Sequence, residues 1–117
     1  PFSGDRPYEN RPWGSFRVLL DEPNVKGKKI TVKAGQRLSL QLHATRDELW
    51  KVISGSGAMQ IGNHKFDISS GSEVRIDRYS VHRVKAGELN DLVFIEIQTG
   101  ECQEDDIIRV KDDYNRG

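Results

Sequence analysis

From Ser15 to Gly100 the chain is a succession of short runs in which apolar and polar residues alternate, separated by glycines. Residues two apart lie on the same face of a strand, so each run can bury one face and wet the other. The runs are "SFRVLL" (15–20), "KKITVKA" (28–34), "RLSLQLHA" (37–44), "LWKVISG" (49–55), "AMQIG" (58–62), "HKFDIS" (64–69), "EVRID" (73–77), "HRVKAG" (82–87) and "DLVFIEIQTG" (91–100). Gly55, Gly57, Gly62, Gly71 and Gly87 punctuate them, and Gly62–Asn63 reads as a hairpin turn. Eight or nine short strands at this spacing predict an all-β antiparallel sandwich or barrel. One helical turn is expected near "GECQEDDII" (100–108), where acidic residues cluster as they do at helix starts. Three of the four prolines fall in the first fourteen residues, which are expected to run as an extended arm (1–14).

A chain of 117 residues suits one domain, 1–117, with a core of modest size. Its 18 basic and 18 acidic side chains cancel, so charge gives no reason to expect nucleic acid or a membrane surface as partner. No apolar run is long enough for a transmembrane helix. The opening "PFSGDRPYENRPWG" has no apolar segment of the secretory kind. With Cys102 the lone cysteine, a reducing cytoplasmic location is expected.

The run 37–44 poses a question of orientation. Leu38, Leu40 and Leu42 share one face; Arg37, Ser39, Gln41 and His43 share the other. Polar residues facing water would explain the pattern, and so would a metal site. Glu48 follows His43 across the polar turn "ATRD", and alternation then places Glu48, Trp50 and Val52 together. His82 closes the segment that Gly71 opens. Antiparallel hairpins can bring Gln41, His43, Glu48 and His82 to one mouth of a barrel. Two imidazoles, a carboxylate and an amide oxygen suit one divalent ion, with Zn, Mn, Fe, Co and Ni all open.

These spacings resemble the cupin superfamily. Its first motif runs Gly, five residues, His, one, His, three or four, Glu, six, Gly; here Gly35, Gln41, His43, Glu48 and Gly55 keep that spacing, with Gln in place of the first His. The second motif is matched in spacing from Gly71 to His82, with Asp77 and Tyr79 where Pro and Gly are usual. The resemblance implies a double-stranded β-helix, or jelly-roll barrel. "RPWGSFRVLL", "SLQLHATRDELWKVISG" and "GECQEDDIIRVKDDYNRG" are further similar to type II mannose-6-phosphate isomerases, a domain type that also ends bifunctional mannose-1-phosphate guanylyltransferases. In that subfamily the Gln of "LQLH" is usual. These residues contain no Gly-rich nucleotide-binding stretch, so guanylyltransfer is not expected of them. The chain departs from the subfamily at Ala44, Thr45 and Leu49, where His is frequent.

The resemblance implies a metal-dependent interconversion of mannose 6-phosphate and fructose 6-phosphate. Arg46, between two candidate ligands, is expected at the rim of the site as a phosphate contact. Arg11 and Arg109 fall in the terminal motifs and are weaker substrate candidates. For proton transfer, Lys51 and His64 qualify by residue type. Glu96 qualifies if buried, where its pKa would rise, while an edge carboxylate facing water is the plainer reading. The departures leave a non-catalytic metal- and sugar-binding cupin as the alternative, and the His/His/carboxylate set leaves an Fe(II) dioxygenase as a third. Open sheet edges and the arm suggest a homodimer.

Overall fold

Among the residues that the computed structural model describes, 7–101 and 107–111, eleven strands form and no helix does. They are β1 (Glu9–Arg11), β2 (Gly14–Glu22), β3 (Val25–Val32), β4 (Leu40–His43), β5 (Arg46–Ser54), β6 (Ser56–Ile61), β7 (His64–Ser69), β8 (Glu73–Ile76), β9 (His82–Ala86), β10 (Leu92–Gly100) and β11 (Ile107–Lys111). Two antiparallel sheets result, ordered β1-β2-β3-β10-β5-β8 and β11-β4-β9-β6-β7. From β3 onward each connection carries the chain to the other sheet, except the β6–β7 hairpin. That winding makes the jelly-roll barrel the sequence predicts.

The inward faces divide the barrel along its length. At one end Val32, Val52, Met59, Val74, Val84, Leu92 and Phe94 form a dry core. Trp50 stacks on Phe94 with ring centroids 4.1 Å apart. Toward the other end the same inward rows turn polar. On β5, Val52 and Trp50 give way to Glu48 and Arg46; on β10, Phe94 gives way to Glu96 and Gln98; on β3, Ile30 gives way to Lys28. The polar end is where chemistry can occur.

Two expectations are corrected. There is no extended arm over 9–14: Pro12 and Trp13 make a tight turn, and Glu9–Arg11 folds back on β2 with Arg11 opposite Gly14. Proline presets the φ of a turn's first central residue, which is why this Pro-rich stretch closes a hairpin; residues 1–6 lie outside the described residues. The helical turn expected near 100–108 is not formed at its described end, because Ile107 and Ile108 pair with β4. Cys102 and the rest of 102–106 lie outside the described residues.

Two backbone positions hold the strands that carry the site. Gly55, at the passage from β5 to β6, has φ +82°, and a Cβ there would run into the Asp91 carbonyl. Tyr79 is the one described non-glycine residue with positive φ, at 67°. Its N–H donates to the His43 carbonyl at 2.6 Å. The neighbouring Arg78 N–H donates to Asp47 Oδ1 at 2.7 Å. Side-chain and backbone hydrogen bonds from Arg78 hold the Asp47 carboxyl below its usual range. These ties pin the loop that leads into His82 against the β4–β5 turn.

A left-handed conformation costs an ordinary L residue about 1–2 kcal/mol, and most for a β-branched one. Tyr79→Gly is therefore expected to leave unfolding free energy unchanged or raise it by up to about 1 kcal/mol, because glycine's own entropy cost offsets part of the gain. Tyr79→Val is expected to lower it by about 1 kcal/mol or more. Urea denaturation of both variants checks the order, and the reverse order would refute the strain at this position.

Candidate metal centre

Strand β4 is built inside out. Gln41 and His43 are buried within the barrel, while Leu40 and Leu42 sit half-buried on its outer surface. Such an inversion demands polar partners inside, since a buried polar group without one is costly. β9 supplies the first: His82 is buried and pairs in register with Gln41. β5 supplies the second, Glu48, which is only 3% exposed.

Glu48 is the hub. Its Oε2 lies 3.0 Å from His43 Nε2 and accepts a 3.0 Å bond from Arg46 Nε. Its Oε1 accepts from Trp50 Nε1 at 3.0 Å and lies 4.0 Å from His82 Nε2. Burial by itself would raise the Glu48 carboxyl, but hydrogen bonds with His43 and Glu96, and the charges of His43 and His82, hold it well below the usual carboxylate range. Glu96 moves the opposite way. Burial, then the charge and hydrogen bond of Glu48, push it well above that range, against Lys28 and Arg46. Gln98 Nε2 donates to Glu96 Oε2 at 2.9 Å. The two carboxyl groups are thus pushed in opposite directions, so that a proton is held more readily by Glu96 than by Glu48. Burial lowers the His82 imidazole below its ordinary value despite the pull of Glu48.

The donors fit a divalent metal ion. One nitrogen or oxygen atom from each of His43, Glu48 and His82 lies within 4.8 Å of the others. The 3.0 Å between His43 Nε2 and Glu48 Oε2 is the spacing of adjacent ligands on an ion bound at about 2.1 Å. His82 Nδ1 sits 2.9 Å from the Ser80 carbonyl. Donation from that nitrogen leaves the Nε2 lone pair facing the site, the usual way a metal-binding imidazole is oriented. Gln41 lines the same cavity, about 490 Å³ in volume.

Four basic side chains line that cavity as well: Arg11, Lys28, Arg46 and Arg109. Arg46 is not at the rim, as its place in a turn suggested. It is buried in the wall, bonded to Glu48 and with Nη2 3.3 Å from His43 Nε2, because β5 begins at Arg46 and alternation puts it on the inward face with Glu48. Arg11 reaches the cavity from β1, and Arg109 from β11, where it pairs with Gln41.

The three proton-transfer candidates separate. Glu96 is buried in the cavity wall and is not a wetted edge residue, because β10 lies in the middle of its sheet. Lys51 is off the site: it shares the outward face of β5 with Leu49 and Ile53, and its Nζ lies 3.7 Å from Glu73. His64 is also off the site, exposed at the start of β7 beside the hairpin turn. Sequence reasoning missed Lys28 and Gln98. Both were signalled, since Lys28 alternates with Ile30 and Val32, and Gln98 with Glu96 and Phe94.

Comparison with known proteins agrees with this geometry. The profile of the family described as "Mannose-6-phosphate isomerase C-terminal" matches residues 6–112. A mannose-1-phosphate guanylyltransferase of Salmonella muenchen is 40% identical over 102 residues, which cover 86% of this chain and 22% of that protein. The alginate biosynthesis protein AlgA of Pseudomonas aeruginosa is 39% identical over 107 residues, 91% of this chain and 22% of that one. The chain thus spans about a fifth of the length of the curated relatives it matches. Among solved structures, KdgF of Halomonas sp. shares the fold at a TM-score of 0.80 and 16% identity, over 89% of this chain and 94% of that one. A cupin-2 domain of Rhodospirillum rubrum does so at 0.69 and 19%, over 79% and 67%.

His82→Ala is expected to fold normally by circular dichroism and to lose divalent-metal affinity by more than the roughly 10–100-fold that loss of a supporting group costs. Metal content measured after dialysis checks this; wild-type content in the variant would remove His82 from the centre.

Proposed function

The chain belongs to the mannose-6-phosphate isomerase C-terminal family, and from that membership we propose that it is a metal-dependent isomerase interconverting mannose 6-phosphate and fructose 6-phosphate. The observation that carries the reading is the His43–Glu48–His82 cluster, set beside Glu96 in a cavity lined with cations. Such a cavity can hold a polyhydroxylated anion by both ends.

The reaction moves a proton between adjacent carbons as carbonyl and hydroxyl exchange places. A divalent ion held by Gln41, His43, Glu48 and His82 would stabilise the negative charge that develops on the two sugar oxygens. The protein's own residues do the rest. Arg46 and Trp50 fix the Glu48 carboxylate from two sides. The barrel's dry end blocks water from below. Glu96 is the carboxyl group, other than Glu48, among the described residues lining the cavity, and Gln98 orients it. We assign it the proton transfer between C2 and C1.

A coupled assay for fructose 6-phosphate formation tests the reading. Activity should disappear with chelator and return with a divalent metal. Glu96→Gln should lower kcat by about 100–10,000-fold, the usual worth of a positioned acid–base group, with metal content unchanged. Wild-type kcat in that variant would move the proton transfer elsewhere. Binding of mannose 6-phosphate without any turnover would favour a non-catalytic binding cupin.

The proposal includes self-association. Leu49 and Ile53 stand 40% and 49% exposed on the outer face of β5, an apolar surface that a second copy would cover. Light scattering at micromolar concentration should return a dimer mass, and a monomer mass would end this part of the proposal.

A further inference from the structure

We propose that Asp47 is a positioning residue of the metal centre: by holding the loop 77–81 it fixes the two histidines on either side of Glu48. The inference rests on the metal centre described above and not on the sugar reaction. The loop joins β8 to β9 and is tied to each strand that carries a donor. Its Tyr79 N–H donates to the His43 carbonyl at 2.6 Å. Its Ser80 carbonyl lies 2.9 Å from His82 Nδ1, the contact that leaves Nε2 facing the site. Its Arg78 N–H donates to Asp47 Oδ1 at 2.7 Å, and Asp47 precedes Glu48 on β5. Groups standing behind metal ligands set the angle at which each ligand is presented. Here one five-residue segment does so for both histidines.

The residues of the loop do not preset its shape. Pro and Gly are usual in this motif where Asp77 and Tyr79 stand. Proline fixes φ, and glycine takes a positive φ without steric cost. Tyr79 holds a φ of 67° with neither aid, and its side chain is 67% exposed, so burial does not keep it there. Such a conformation persists only where the surroundings impose it. The surroundings are the bonds to His43, His82 and Asp47, and a bond from Gly62 N–H to the Val81 carbonyl at 2.7 Å. Of these, the tie to Asp47 comes from a side chain that is not a metal donor, so it can be removed without touching the donors.

Asp47 is itself on a firm base. The β4–β5 turn before it is bound to the end of β10: Glu101 N–H donates to the Thr45 carbonyl, and the Thr45 hydroxyl donates to the Glu101 carbonyl, both at 3.0 Å. The Arg78 guanidinium adds longer contacts to the same carboxylate, 3.4 Å from Nε and 3.3 Å from Nη2. Both side chains of that ion pair are partly exposed, and a pair in contact with water contributes little. The short bond to the Arg78 backbone therefore carries the hold, and it needs an acceptor oxygen at position 47 more than a charge.

Zinc affinity of the purified metal-free chain, measured by competition with a chromophoric chelator, tests the proposal. Asp47→Ala should weaken zinc binding by about 10–100-fold, the usual cost of losing a group that supports a ligand. Asp47→Asn keeps an acceptor and Arg78→Ala keeps the N–H, so both should stay within a few-fold of wild type. Adding Tyr79→Gly to Asp47→Ala should restore much of the affinity, because glycine accepts the positive φ without being held in it. The urea midpoint of metal-free Asp47→Ala should lie close to that of wild type. In the nitrogen NMR spectrum of the three imidazoles, His82 should carry its proton on Nδ1 in the wild type and share it between both nitrogens in Asp47→Ala. Zinc bound equally by Asp47→Ala and wild type overturns the proposal. So does a loss of affinity that comes with a general loss of stability and is not rescued by Tyr79→Gly, which would make Asp47 a structural residue only. No readout involves turnover, so failure of the isomerase reading leaves the positioning role standing.

Discussion

A carboxylate removed from water costs several kcal/mol unless charges and hydrogen bonds surround it. Glu48 meets that demand from four strands at once. Arg46 and Trp50 come from its own strand, His43 from β4, His82 from β9 and Glu96 from β10. The contacts with His43 and His82 require the two sheets to face each other, and that with Glu96 requires β10 to lie beside β5, so one charge ties the polar end of the barrel together. The same charge sets the protonation of its neighbours. Glu48 is held well below the usual carboxylate range, and its charge helps to push the neighbouring Glu96 well above it. Burial that would be a liability in a plain core becomes the means of holding metal donors close together.

The dry end plays the complementary part. Trp50 joins the two ends, since its ring stacks on Phe94 while its Nε1 donates to Glu48. Packing of the core therefore fixes the angle of the hub carboxylate. A substitution at Phe94 would be felt at the metal donors through Trp50 without touching them.

Alternation located most of the strands, because a period of two survives whatever each face meets. It did not say which face turns inward. On β4 the leucines argue for burying Leu40 and Leu42, and the structure buries Gln41 and His43; only the spacing to Glu48 and His82 pointed the right way. Residue type misled where face was decisive. Lys51 and His64 have suitable chemistry, but Lys51 stands one residue from both Trp50 and Val52 and so faces outward. Glu96 looked like a wetted edge residue because the order of strands in a sheet, which puts β10 in the middle, is not written in any one run. Lys28 was missed although alternation placed it with Ile30 and Val32, since a lysine among apolar residues reads by habit as a surface residue. The hairpin at Arg11–Gly14 was hidden by prolines that suit a turn as well as an extended segment.

The departures from the subfamily pattern take on a different weight once each has a place. Leu49 points out of the barrel, so a His there would not reach the metal donors. Thr45 turns its hydroxyl to the Glu101 carbonyl at 3.0 Å, away from the cavity. Neither residue lines the cavity, and Ala44 does not either. Tyr79, where glycine is usual, keeps the glycine-like φ of 67° and the bond to His43 that positions the loop before His82. The substituted positions thus lie on the outer face and in the connecting turns, while Gln41, His43, Glu48 and His82 converge inside. Glu96 lies inside with them, buried, bonded to Gln98 and set against Glu48.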